Sequence, residues 1–153
     1  MAEDTREMNR RLIRLAEGSE VRFWRVNYDA LSVPERFFRA IWELEAEVNN
    51  GGFHQYFSNS SGRLVPDVID ALHAIGAIQM ANIVGRAIEA VGPDVSWSDD
   101  TARQARMDDL SPEIVEALND LGQAFYAYPD NLTALLYRYV VAHKGEIGAP
   151  AEF

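Results

Sequence analysis

A chain of 153 residues, 48% of them hydrophobic, can fill one core and is short for two ordinary domains. Its 24 acidic against 14 basic residues leave a net charge of −10, a field that repels nucleic acid and anionic membrane and attracts basic partners. The absence of cysteine excludes disulfide frameworks and thiolate metal sites, and no apolar run approaches the ~18 residues of a membrane span.

The opening residues, Met1 to Arg6, are charged and lack the apolar core of a signal peptide, so a cytoplasmic location is expected. Met8, Leu12 and Leu15, spaced four and three apart, predict a helix over 4–16 that Gly18 stops. Val21–Leu31 carries Phe23, Trp24, Tyr28 and Leu31 in a pattern closer to helix than to strand. Ser32-Val33-Pro34-Glu35 has the chemistry of a helix start. Phe37, Ile41, Leu44 and Val48 follow as one apolar stripe, widened by Phe38 and Trp42, which makes this helix the expected centre of the core. Arg36, Arg39, Glu43 and Glu47 form a solvated, pairable stripe. Glu45 falls on the apolar side, where a carboxylate must find donors or stay at the rim.

Asn50-Gly51-Gly52 predicts an abrupt stop, followed by a short helix with Phe53, Tyr56 and Phe57 on one face and a second stop at Asn59–Gly62. Val65-Pro66-Asp67 opens the next helix, with Val68, Ile69, Leu72 and Ile75 inward and a break at Gly76. Met80, Ile83, Val84, Ala87, Ile88 and Val91 mark another, ended by Gly92-Pro93. Trp97–Leu110 reads as a polar connection with a helical turn or two from Asp99. Ser111-Pro112-Glu113 starts a helix that buries Ile114, Leu118, Leu121 and Phe125 and closes at Pro129. Leu132, Leu135, Leu136, Tyr139 and Val140 form the last, ended by Gly145. No strand alternation and no repeat period intervene. The expected fold is all-α, a single compact multi-helix domain over 1–153.

The charge is uneven. Residues 93–131 hold 9 acids against 2 Arg, a local net of −7, whereas residues 1–40 hold 7 acids against 8 Arg. Within that acidic segment Glu113, Glu116 and Asp120 share one helical face away from the apolar positions. A helix advances about 5.4 Å per turn, so this row is sparser than the ~3.4 Å charge spacing of a DNA strand. Asp99, Asp100, Asp108 and Asp109 would have to supplement it, and Arg103 and Arg106 would neutralise part of it by helical pairing. The plain alternative is a solvated helix face.

The three histidines, His54, His73 and His143, stand in no metal-ligand spacing, so neither a metal nor a cofactor is expected. His54 is near Glu45 and Glu47 in sequence, which leaves an acid–base pair or half a metal site as an alternative. Asn49, Asn50, Gln55 and Asn59 could grip a ligand or satisfy the helix ends that the glycine stops open.

Glu35-Arg36, the run Trp42-Glu43-Leu44-Glu45-Ala46-Glu47-Val48-Asn49-Asn50-Gly51-Gly52-Phe53-His54-Gln55-Tyr56-Phe57, and Asn59-Ser60-Ser61-Gly62 resemble a bacterial domain-of-unknown-function family that includes an acidic DNA-mimic protein. Ala71-Leu72-His73-Ala74-Ile75-Gly76-Ala77 is similar to that family's second signature. The two signatures span 35–92. The resemblance implies an all-helical fold, a cytoplasmic location and dimerisation. It also implies a partner: a basic protein such as a DNA-binding transcription factor, held by carboxylates where phosphates would sit, with no direct nucleic-acid binding and no membrane. Two other readings stay open: an enzyme or metal-dependent site around Glu45, Glu47 and His54, and an immunity-type protein that binds through an aromatic surface around Phe53 and Tyr56.

Overall fold

The computed structural model describes residues 4–25, 28–150 and 153. Helix α1 (Thr5–Arg25) buries Met8, Leu12 and Leu15 and packs against α7 (Leu132–Ala142). It runs through Gly18 instead of stopping there. A single interior glycine costs a helix only about 1 kcal/mol, less than the tertiary packing that holds it. The segment expected at Val21–Leu31 is therefore the end of α1 followed by a 3-10 turn, Tyr28–Ala30. Residues 26 and 27, and the side chains of Phe23 and Trp24, lie outside the described residues.

Helix α2 (Val33–Ser58) is the central element, packed against α3 (Val65–Ile75), α5 (Asp100–Asp108) and α6 (Pro112–Tyr126). It begins with a capping box. Glu35 N donates to Ser32 Oγ at 3.2 Å, and Ser32 N donates back to Glu35 Oε1 at 3.2 Å. Phe38, Ile41, Leu44 and Val48 are buried, but Phe37 is only half-buried and Ala40 takes its place inside. At Gly52 the backbone adopts φ 76°, ψ −174°, a region open essentially to glycine alone, and the helix turns a corner. Beyond it Phe53, Tyr56 and Phe57 are buried, with Phe53 set edge-on to Phe125 at 6.0 Å and Phe57 5.2 Å from Trp97. The aromatic surface expected around Phe53 and Tyr56 is thus core, because the corner swings that face inward.

The remaining elements are a 3-10 turn at Ser60–Leu64, α3 with Gly76 left-handed at its end, α4 (Ile78–Val91), α5, α6, α7 and the short α8 (Lys144–Ile147). The helical turn or two expected from Asp99 is α5, nine residues long with Asp99 as its N-cap. The turn after α6 is made by Tyr128 at φ 48°, ahead of Pro129. Gly145 lies inside α8, and Gly148 ends it in the left-handed conformation. One core runs from Met8 to Phe153, and the fold is all-α. Among the described residues no helix is long and apolar enough to cross a membrane.

Arg103 explains why α5 forms and what it holds. Its side chain is fully buried. Nε donates to Phe57 O at 2.8 Å, Nη1 to Trp97 O at 2.6 Å, and Nη2 to Asn59 O at 3.1 Å and Asp100 Oδ1 at 2.9 Å. A guanidinium out of water needs that many acceptors, and the open carbonyls at the end of α2 need donors. Gly62 makes the room: a Cβ there would lie 2.4 Å from both Arg103 Nε and Phe57 O. Arg63 also pairs with Asp100, and these two arginines hold the Asp100 carboxyl well below the usual carboxylate range. Arg103 does pair with Asp100 along α5, as its spacing predicts, but it works as an internal tie.

Arg103→Met should cost about 3 kcal/mol or more in urea denaturation, because it strands buried carbonyls and removes a desolvated charge from its acceptors. Gly62→Ala should cost about 1–3 kcal/mol alone, and less in the Arg103→Met background, where one of its two close contacts is gone. Equal costs in both backgrounds would mean that Gly62 does not serve the guanidinium.

Candidate interaction surface

The structure sorts the nine acids of residues 93–131 into two groups. Asp99 Oδ1 accepts from Ala102 N at 3.0 Å and caps α5. Asp100 is held by Arg63 and Arg103. Asp94 pairs with Arg106 at 3.0 Å, and Arg106 also donates to Val91 O at 2.9 Å. Asp130 Oδ2 accepts from Met80 N at 2.8 Å and so closes the first turn of α4. Nine less these four leaves five: Asp108, Asp109, Glu113, Glu116 and Asp120. All five are exposed, and their side chains have no hydrogen-bond or ion-pair partner among the described residues.

Their placement follows from helix geometry. At about 100° per residue, Glu113, Glu116 and Asp120 fall within an arc of about 60° on α6, away from buried Leu118 and Phe125. At ~1.5 Å per residue the row is about 10 Å long. Asp108 and Asp109 end α5 just before Ser111 caps α6 through Ile114 N at 3.3 Å. Arg103 pairs with Asp100, and Arg106 pairs with Asp94 and also feels the charge of Asp109, so the expected neutralisation falls on the α5 side of the segment and leaves Glu113, Glu116 and Asp120 without an arginine partner. Asp99 and Asp100 were expected in the acidic surface too. The fold uses one as a cap and the other as an arginine partner.

The motif residues Glu45, Glu47, Asn49, Asn50, Gly51, Gly52, Phe53, Gln55, Tyr56 and Phe57 build the corner of α2. Glu47 Oε2 accepts from Gln55 Nε2 at 2.8 Å and from Asn59 Nδ2 at 3.0 Å, bridging the two halves of the helix. Glu47 therefore leaves the arginine stripe, in which Arg39 and Glu43 pair at 3.4 Å and are largely buried instead of solvated. Asn49 Nδ2 donates to Tyr128 Oη at 2.7 Å, and Tyr128 Oη donates to Glu45 Oε2 at 2.9 Å. Tyr126 Oη donates to Val48 O at 2.8 Å, a carbonyl four residues ahead of Gly52. The amides mainly bind side chains, and the helix end is closed by backbone, Asn59 N to Gln55 O at 3.0 Å. Asn50 is exposed.

His54 is not joined to the two glutamates. Its Nε2 lies 3.1 Å from Met107 O and its Nδ1 3.4 Å from Ser58 Oγ. Glu45 and Glu47 bond elsewhere, and among the described residues no group of three His, Cys, Asp or Glu could hold a metal ion. Tyr126 and Tyr128 are the site residues that sequence reasoning missed. They follow no helical period with the motif, and their partners are 78 and 83 residues away.

Burial raises the pKa of Glu45, with the Tyr128 hydrogen bond as a smaller opposing effect. Burial also raises that of Glu43 against the pull of Arg39. Tyr128 is pushed up to about 12, mainly by burial and further by Glu45.

A family model described as DMP19-like protein matches residues 29–143, which run from the first 3-10 turn to the end of α7 and include both the corner and the acidic row. No curated protein and no solved structure matches the chain.

A carboxyl group whose pKa is raised on folding stabilises the fold most when protonated. That contribution is present below the unfolded value of 4.5 and lost as pH rises through the higher folded value. Wild type should therefore lose stability relative to Glu45→Gln as pH rises from about 4 through the raised folded value, and the difference should then level off, as read by urea denaturation at each pH. Parallel curves for the two proteins would show that Glu45 carries no desolvation cost.

Proposed function

The chain belongs to the DMP19-like protein family, and from that premise we propose that it is an acidic protein-interaction domain that acts as a DNA mimic. Its five unpartnered carboxylates, Asp108, Asp109, Glu113, Glu116 and Asp120, would occupy the DNA-binding face of a basic partner such as a transcription factor. What carries this reading is the division of the acidic segment. Four of its carboxylates hold the fold together, and the five that do not lie at one junction, the end of α5 and the outer face of α6. The two consecutive aspartates add charge where the α6 row alone is too sparse to match phosphates.

Such a surface steers a cationic partner from a distance and competes directly with DNA, so retention should fall with salt. The work would be cytoplasmic, on a partner that is itself basic, with no nucleic acid bound by this chain. The reading based on Glu45, Glu47 and His54 gains no observation, since the three groups bond to three different partners.

Immobilised protein should retain a basic DNA-binding protein from a lysate of the source organism, and duplex DNA or moderate salt should release it. Joint substitution Glu113→Lys, Glu116→Lys and Asp120→Lys should weaken retention roughly tenfold or more while the helical circular dichroism stays unchanged. Retention of the same protein by the folded triple variant at wild-type strength would sink the proposal.

A further inference from the structure

The corner of α2 carries a carboxylate and two tyrosines apart from the acidic row. Glu45 is a half-buried carboxylate at the rim, and the described residues give it one donor, the Tyr128 phenol at 2.9 Å. An ionised carboxylate offers about four acceptor positions, so beyond the Tyr128 bond it can accept further donors, from water or from a partner. Two exposed tyrosines reach this part of α2, Tyr128 (37%) at Glu45 itself and Tyr126 (41%) at Val48, three residues on. Both hydroxyls are tied to α2, Tyr126 to Val48 O and Tyr128 to Asn49 and Glu45, while Phe125 packs edge-on to Tyr128 at 5.7 Å. Anchored by their hydroxyls, the two residues leave ring carbons to meet solvent in fixed positions.

A pinned aromatic ring next to a carboxylate that can accept further donors is the arrangement a guanidinium fits. The planar cation stacks on the ring while its N–H groups donate to the carboxylate. A lysine ammonium satisfies the charge but not the stacking, and an apolar side chain leaves the carboxylate short of donors. We infer that Glu45, Tyr126 and Tyr128 form a binding site for an arginine side chain of the partner, a contact additional to the carboxylates of α6. The site deepens the reading above, because it rests on the partner being basic, and it adds a contact that salt screens less than the exposed row.

The probe is N-acetyl-arginine methylamide, titrated into the full chain and followed by the ring resonances of Tyr126 and Tyr128 and the side-chain carboxyl resonance of Glu45. Saturable shifts at these three residues are expected, with affinity about threefold or more above the lysine analogue and the neutral citrulline analogue. Glu45→Gln, which keeps an acceptor for Tyr128, should weaken the arginine probe about fivefold. The analogue comparison needs no variant, so the inference stays testable if Glu45→Gln fails to fold. Shifts confined to the α6 carboxylates, or equal shifts with all three analogues, would overturn it. The Lys triple variant of α6 separates the two proposals. Tyr128 shifts that persist in it while capture by the triple variant is undiminished would support this site and refute the mimic. The reverse pattern would refute this site and leave the mimic standing.

Discussion

A guanidinium removed from water must have its N–H groups met, and Arg103 meets that demand with the carbonyls of Phe57, Asn59 and Trp97 and the carboxylate of Asp100. Much of the architecture follows from this one set of bonds. The carbonyls are available because α2 ends at Ser58, and the approach is open because position 62 has no side chain. The tie fastens α5 onto the end of α2, and α5 in turn leads into α6, the helix that bears the exposed carboxylates. The position of the acidic surface is therefore set by a buried arginine and a glycine that never touch it.

The corner at Gly52 is the other half of the same construction. It turns Phe53, Tyr56 and Phe57 into the core and leaves polar groups on its outer side to be satisfied. Glu47 reaches across the bend to Gln55 and Asn59, and the tyrosines after α6 bond to Glu45, Val48 and Asn49 on the first half of α2. The motif residues thus make and cover one bend, which accounts for a shared fold more directly than for a shared partner.

How much was legible in the sequence depended on how local each cause is. The apolar spacing of α2, α4, α6 and α7 is a property of neighbouring residues, and those helices lie where periodicity put them. The stops at Gly51-Gly52 and Gly76 were also readable, since Gly52 and Gly76 adopt a positive φ. Gly18 and Gly145 look the same in the sequence, but each sits in a helix held by other contacts, and about 1 kcal/mol does not break it. Arg103 was visible only as a partner for nearby acids, because its decisive acceptors lie 44 and 46 residues away. For the same reason Tyr126 and Tyr128 gave no sign of serving α2, and the carboxylates of the acidic segment could not be divided into structural and free ones until the fold was in view.

That division bears on why the row exists. Glu113, in the first turn of α6, gains from the partial positive charge at the helix N-terminus, and Glu116 just beyond it gains less. Asp120 lies past the reach of that effect and faces Glu116 four residues away, a like-charge spacing that costs a helix about 0.2–0.5 kcal/mol. Aspartate is also a poor helix former in such a position. No hydrogen bond or ion pair among the described residues offsets this for Asp120. Solubility would be served by acids placed anywhere on the surface, whereas a row on one face concentrates repulsion. Glu113 and Glu116 thus have a local reason for their place in α6, whereas Asp120 has none within its own helix, and the cations of the basic partner proposed above would supply one.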